Sequence, residues 1–281
     1  MTRWVQLAAV LVLAALYVPA MAEMVDVWQT DTYAGHGMFV PLFSALIAWT
    51  ERERLGAAAG QASPIGIVII LAGVGLLALG TLGQNLLVKG LSVAVVVAGL
   101  VVWGFGTECL KAAAFPVGFL LLMAPLPRAV VAALTLKVQL FAAAFAAGAV
   151  RLLDVPVYQT GVTIELPSMT LQVAEACNGL RFLMALLVLT AAFAQITQRT
   201  LPRKIALVAS AIPIAILANA TRVAVVALGV HYVGPEAASG TIHNWIGKGV
   251  WGLTLIPLIV LGLLLARGGV SRVSRLEAKA A

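Results

Sequence analysis

KIALVASAIPIAILANATRVAVVALGVH, residues 204–231, carries no Asp, Glu, Lys or Arg between Lys204 and Arg222, and none after Arg222. A helix needs about 20 apolar residues to cross the hydrocarbon of a bilayer, so this run predicts a transmembrane helix. The basic cluster Arg199, Arg203 and Lys204 at its start marks the cytoplasmic end, because Lys- and Arg-bearing loops are translocated poorly. Further apolar runs at 4–22, 38–50, 64–83, 90–109, 129–150, 177–197 and 247–266 extend the reading along the chain. The composition agrees: of 281 residues, 62% are hydrophobic and only 10% charged, against about 25% charged in soluble domains. The expected fold is therefore an all-α polytopic membrane protein of about eight transmembrane helices.

Eight spans put both termini on one side. With that side cytoplasmic, the inner loops and tails hold Arg3, Arg52, Arg54, Lys111, Arg128, Arg199, Arg203, Lys204, Arg267, Arg272, Arg275 and Lys279. Lys89, Arg151 and most acids fall outside. The chain's net charge of +7 is thus a matter of topology, and nucleic acid is not expected as a partner. Residues 1–22 also resemble a signal peptide ending in Ala20-Met21-Ala22, but a retained first span fits the topology better. The segment 112–127 is apolar, short and interrupted by Pro116, Pro125 and Pro127, and is expected to be re-entrant or interfacial. Between Leu152 and Ala176, β-branched alternation around turn residues predicts a small hairpin on the outer side. No repeat or low-complexity linker interrupts the chain. Residues 1–281 are read as a single integral-membrane domain with a basic cytoplasmic tail at 267–281.

Three polar clusters interrupt this apolar text. In Glu175-Ala-Cys177-Asn-Gly-Leu-Arg181, helical spacing places Arg181 one turn from Cys177 on the same face. A guanidinium there, with the positive end of a helix dipole, would raise the thiolate fraction. A free cysteine is otherwise usually a small buried hydrophobe, and Cys109 in Thr107-Glu-Cys-Leu is read that way. Asn219 and Arg222 share a face of the quoted span. An arginine at that depth is costly and by default marks a functional site, the alternative being an ion pair made for assembly. His243, in Thr241-Ile-His-Asn-Trp245, precedes the last span on the side of Cys177 and has the chemistry of a proton shuttle. Beside Trp245 it also reads as an interfacial residue. Cysteine, histidine and arginine together supply a nucleophile, a proton carrier and a cation for an oxyanion. Neither a disulfide framework, a metal site nor a cofactor is indicated.

The strings Val173-Ala-Glu-Ala-Cys-Asn-Gly-Leu-Arg181, Asn219-Ala-Thr-Arg222 and the downstream His243 resemble the three blocks of the exosortase and archaeosortase family. Trp28, Asp31, Tyr33, His36-Gly37, Val40-Pro41, Trp49 and Arg52 resemble its first outer loop and second span, and Phe115-Pro116 with Ala124-Pro-Leu-Pro127 its middle. Asn178 stands where the family commonly has serine, and Tyr33 to His36 is one residue longer than usual.

The resemblance implies an inner-membrane cysteine transpeptidase with its active site facing the periplasm. Its partners would be exported proteins ending in a short motif such as Pro-Glu-Pro, a transmembrane helix and a basic cluster. Cys177 would then be the nucleophile, with Arg222 and His243 catalytic and Arg181, Glu175 and Asn219 in support. Asp31 and His36 would line the substrate entrance or simply belong to a solvated loop. The rival reading is a non-catalytic transporter or scaffold in exopolysaccharide assembly, with Arg222 and Lys137 lining a pathway.

Overall fold

The computed structural model describes residues 3–173 and 179–280. Among them, seven helices are long and apolar enough to cross a membrane: Leu7–Thr30, Ile65–Leu82, Leu86–Ala112, Arg128–Arg151, Gly179–Thr197, Leu201–Tyr232 and Gly240–Arg267. The protein is a multi-pass, all-α membrane protein. Its contacts divide into two compact units, Met1–Pro127 and Arg128–Ala281.

In the first unit, α1 (Arg3–Thr30), α4 (Ile65–Leu82) and α5 (Leu86–Ala112) are long helices. Lipid offers no hydrophobic drive for one helix to join another, so close association depends on small residues at the contact. Gly66, Gly73 and Gly80 recur every seventh position on α4 and meet α5. A side-chain carbon at Gly66 would stand 2.3 Å from the Trp103 backbone nitrogen. Polar links join α1 to α5: the Tyr17 hydroxyl donates to Ser92 Oγ at 3.1 Å, and buried Lys89 pairs with Glu23. Lys89, expected in an outer loop, therefore sits in the first turn of α5 with its charge matched.

The expected span 38–50 is α2 (Phe39–Thr50), whose 12 residues reach only about 18 Å. A preceding 3-10 turn, Gly35–Met38, extends it. After α3 (Arg52–Ala58) the chain enters α4. The proline-bearing segment forms α6 (Ala114–Phe119) and a 3-10 turn, Leu120–Met123. Near its start, Ser44 Oγ donates to the Pro116 carbonyl at 2.7 Å. At its end, Trp28 Nε1 donates to the Met123 carbonyl at 3.0 Å. Ala124 then rests against Gly90, near the opposite end of α5 from Ala113. The segment thus runs back along α5.

The second unit holds α7 (Arg128–Arg151), α8 (Gly179–Thr197), α9 (Leu201–Tyr232) and α10 (Gly240–Ala280). Between α7 and α8 lies an antiparallel sheet in the order β1 (Tyr158–Thr160), β2 (Thr163–Glu165), β3 (Thr170–Gln172). Gly161, at φ +60°, makes the first turn of the expected hairpin, and β3 adds a third strand. Alternation sends Ile164 inward. It is fully buried with Val155, Leu166 and Val173 against Ala142, Ala146 and Val150 of α7 and Ala220, Val223 and Ala227 of α9. The sheet is thereby part of the unit's core, and its last strand leads directly to the segment before α8.

Candidate active site

The site is assembled by α9 and by the two chain segments that pack on its Asn219–Arg222 turn. α9 ends near Gly234, and a 3-10 turn, Pro235–Ala238, reverses the chain into α10. Gly234 and Gly240 have φ of +122° and +70°, which a residue with a side chain adopts at a cost. Ala237, between them, is fully buried and packs on Gly229. This reversal returns the first turn of α10 to α9, where Arg222 Nη2 lies 2.9 Å from His243 Nε2.

A guanidinium can only donate, so Nε2 must be the accepting nitrogen. The imidazole is then the neutral tautomer with its hydrogen on Nδ1. The backbone of Ala237 stands beside the same ring. Gly247, one turn beyond His243, completes the cradle. A side-chain carbon there would stand 3.1 Å from Arg222 Nη2 and 3.2 Å from its Cζ. The sequence reading missed Gly247, although its position at i+4 from a candidate histidine was available as a signal.

One turn earlier on α9, Asn219 is 4% exposed inside an apolar helix bundle. It meets Gly179, where α8 opens: a side-chain carbon on Gly179 would stand 2.9 Å from Asn219 Cβ and Cγ. Glu175 and Cys177 lie outside the described residues. Their flanks do not. Gln139 of α7 donates from Nε2 to the Val173 carbonyl at 3.0 Å, and Gly179 is held on Asn219. Gln139, a buried amide in an apolar span, is a second residue the sequence reading passed over.

Arg181 is exposed in the first turn of α8, where a cation opposes the helix dipole. It makes no ion pair among the described residues. The three sequence blocks thus meet pairwise: Gly179 of the first on Asn219 of the second, and Arg222 of the second on His243 of the third. Lys137 lies on the exposed face of α7, whose buried face carries Thr135, Val138 and Gln139, so it is not part of this cluster.

In the first unit, Cys109 is buried and lines an apolar cleft of about 440 Å³ with Ala45, Ala48 and Phe105. Its thiol donates to the Leu55 carbonyl at 3.9 Å. The described residues that line this cleft include no histidine, acidic or basic side chain. This is the environment of an inert cysteine.

Asp31 and His36 hold the turn between α1 and α2. Asp31 Oδ1 accepts from the Tyr33 backbone N–H at 2.7 Å. Burial holds the His36 imidazole below its ordinary pKa, against hydrogen bonds to the Tyr33 and Leu122 backbone that raise it. The folded state therefore favours the neutral ring. The resulting stability is present above the ordinary value of 6.5 and is lost as pH falls through the lower folded value. Thermal midpoints measured down a pH series should drop below pH 6.5 in the wild type and less steeply in His36→Gln.

A profile described as transmembrane exosortase matches residues 28–267. No curated protein and no solved structure matches the chain.

Proposed function

This chain belongs to the transmembrane exosortase family, and on that premise we propose that it is a cysteine transpeptidase that cleaves and transfers C-terminal sorting tails. The family acts on protein sorting signals. The finer reading assigns the nucleophile to Cys177, the oxyanion cation to Arg222 and the proton shuttle to His243. The observation that carries it is the 2.9 Å contact between Arg222 and His243, polar groups from two different helices meeting inside an apolar bundle. Gly179, two residues after Cys177, packs on the same turn of α9, which supports bringing the thiol to the same place.

The substrates are exported proteins with a short motif such as Pro-Glu-Pro, an apolar helix and a basic end. The helix enters laterally from lipid and presents the motif at the outer face of the inner membrane. The basic loop Arg199–Lys204 and the C-terminal tail remain in the cytoplasm.

The sulfur of Cys177 attacks the scissile carbonyl carbon, and its proton passes to His243 Nε2. The resting contact with Arg222 opens to release that nitrogen. Collapse of the tetrahedral intermediate breaks the C–N bond. His243 returns the proton to the leaving amine, and the substrate's main part remains as a thioester on Cys177. An acceptor nucleophile, or water, then attacks the thioester and restores the thiol. Arg181, four residues after Cys177, holds Glu175 or favours the thiolate.

The thioester gives this reading its test. Hydroxylamine attacks a thioester and leaves the acyl part as a hydroxamate. With purified protein and a synthetic tail, hydroxylamine should divert the N-terminal product to hydroxamate and speed turnover where release from the thioester is slow. Processing that yields only carboxylate at every hydroxylamine concentration would count against a covalent acyl-enzyme. Absence of any processing, with a defined transport defect in cells lacking the protein, would favour the transporter or scaffold reading.

A further inference from the structure

We propose that Asn219 is a catalytic residue of this site: its side-chain amide, together with the Nε–H of Arg222, donates the hydrogen bonds that hold the oxyanion. The proposal rests on the cysteine transpeptidase reading and divides the work inside it. Asn219 Nδ2 and Arg222 Nε are both buried, and neither has a hydrogen-bond partner among the described residues. A buried donor without an acceptor is costly, and native proteins keep few of them. Here two occur three residues apart, hence on one face of α9.

In the resting site the other end of the guanidinium meets His243 through Nη2. Nε is the buried N–H of Arg222 that faces no acceptor among the described residues, and it can receive one whether or not that contact opens. Asn219 lies where α8 opens, against a glycine whose missing side chain leaves the amide its clearance. An acceptor for these two N–H groups arrives with the substrate, as the carbonyl oxygen that gains negative charge when Cys177 attacks. Donors fixed before the charge develops need no reorganisation as it forms, which is the source of their catalytic effect.

The test is Asn219→Leu, which keeps the branching and size of the side chain and removes the donor. An amide that served packing or helix association would be missed by the fold. An amide kept for the transition state would not, since leucine suits an apolar bundle better. The expected result is an unchanged or higher thermal midpoint in detergent, unchanged binding of a synthetic tail, and processing slowed by about 10²–10³-fold. Wild-type processing by Asn219→Leu would overturn the proposal. So would a joint fall of midpoint, binding and rate, the mark of a packing role.

Should Asn219→Leu fail to accumulate, Asn219→Asp decides: a carboxylate of the same shape should repel the oxyanion and slow processing at least as much, and a wild-type rate would overturn the assignment. Cys177→Ala is assayed alongside. If it still processes the tail, the cysteine reading itself has failed. If it is inactive while Asn219→Leu is not, only the role of Asn219 falls.

Discussion

Arg222→Lys should slow tail processing by about 10²–10³-fold, even though the positive charge is kept. Arginine presents a rigid planar fork, and in this protein the fork is in use: Nη2 reaches His243 at 2.9 Å while Nε sits buried one turn from Asn219. A lysine ammonium is a single point on a flexible stem. It can approach the imidazole or the oxyanion, and it cannot reproduce the fixed geometry between them. Gly247 sharpens the contrast, because the space it leaves is shaped for the guanidinium plane. Single-turnover rates of purified wild type and Arg222→Lys on a synthetic tail measure the effect. A full rate in the lysine variant would mean that any nearby cation suffices and that the fork has no role.

His243→Gln should cost about 10²–10⁴-fold, the range for loss of a positioned acid–base group. Glutamine keeps an acceptor for Arg222 through its amide oxygen, so the helix contact can survive while proton transfer cannot. The pH profile separates the two contributions. The wild-type rate should show the limb of an ionising imidazole, and His243→Gln should lose that limb as well as the rate. A variant that lost rate but kept the limb would move the proton shuttle to another group. The alternative reading of His243 as an interfacial residue beside Trp245 predicts little change in either.

Hydropathy made the long helices legible because the bilayer imposes one strong requirement, an uninterrupted apolar length. The quoted run at 204–231 recurs as α9, Leu201–Tyr232, with its basic cluster at the start. The same logic blurs where a helix is short. Residues 38–50 become a 12-residue helix, and the segment after Ala113 runs back along α5, held by Ser44 of α2, Trp28 of α1 and Gly90 of α5 in contacts that no local pattern records. The strand-like text between Leu152 and Ala176 recurs as β1, β2 and β3, and what it did not reveal is the pairing of β3 with β2, which turns the expected hairpin into a three-stranded sheet.

For the candidate site, the relation of Asn219 to Arg222 could be read from helical spacing alone. The return of His243 to Arg222 could not, since it depends on the backbone turns at Gly234 and Gly240. Gly179 against Asn219 and Gly247 against Arg222 are close approaches made by absent side chains. A glycine in an apolar sequence gives no hint of which neighbour it admits. A shared membrane side and complementary chemistry group Cys177, Arg222 and His243 in the sequence, and the family resemblance adds to that grouping without any of these contacts.

Covalent catalysis by Cys177 is tested by processing of a tail-bearing exported protein in cells expressing Cys177→Ala, with Cys109→Ala as the control. The two cysteines are the only ones in the chain, and Cys109 lines an apolar cleft with its thiol on the Leu55 carbonyl. Cys177→Ala should accumulate to wild-type level and leave the tail uncut, while Cys109→Ala should process it normally. Cleavage by Cys177→Ala at the wild-type rate would contradict covalent catalysis by this residue.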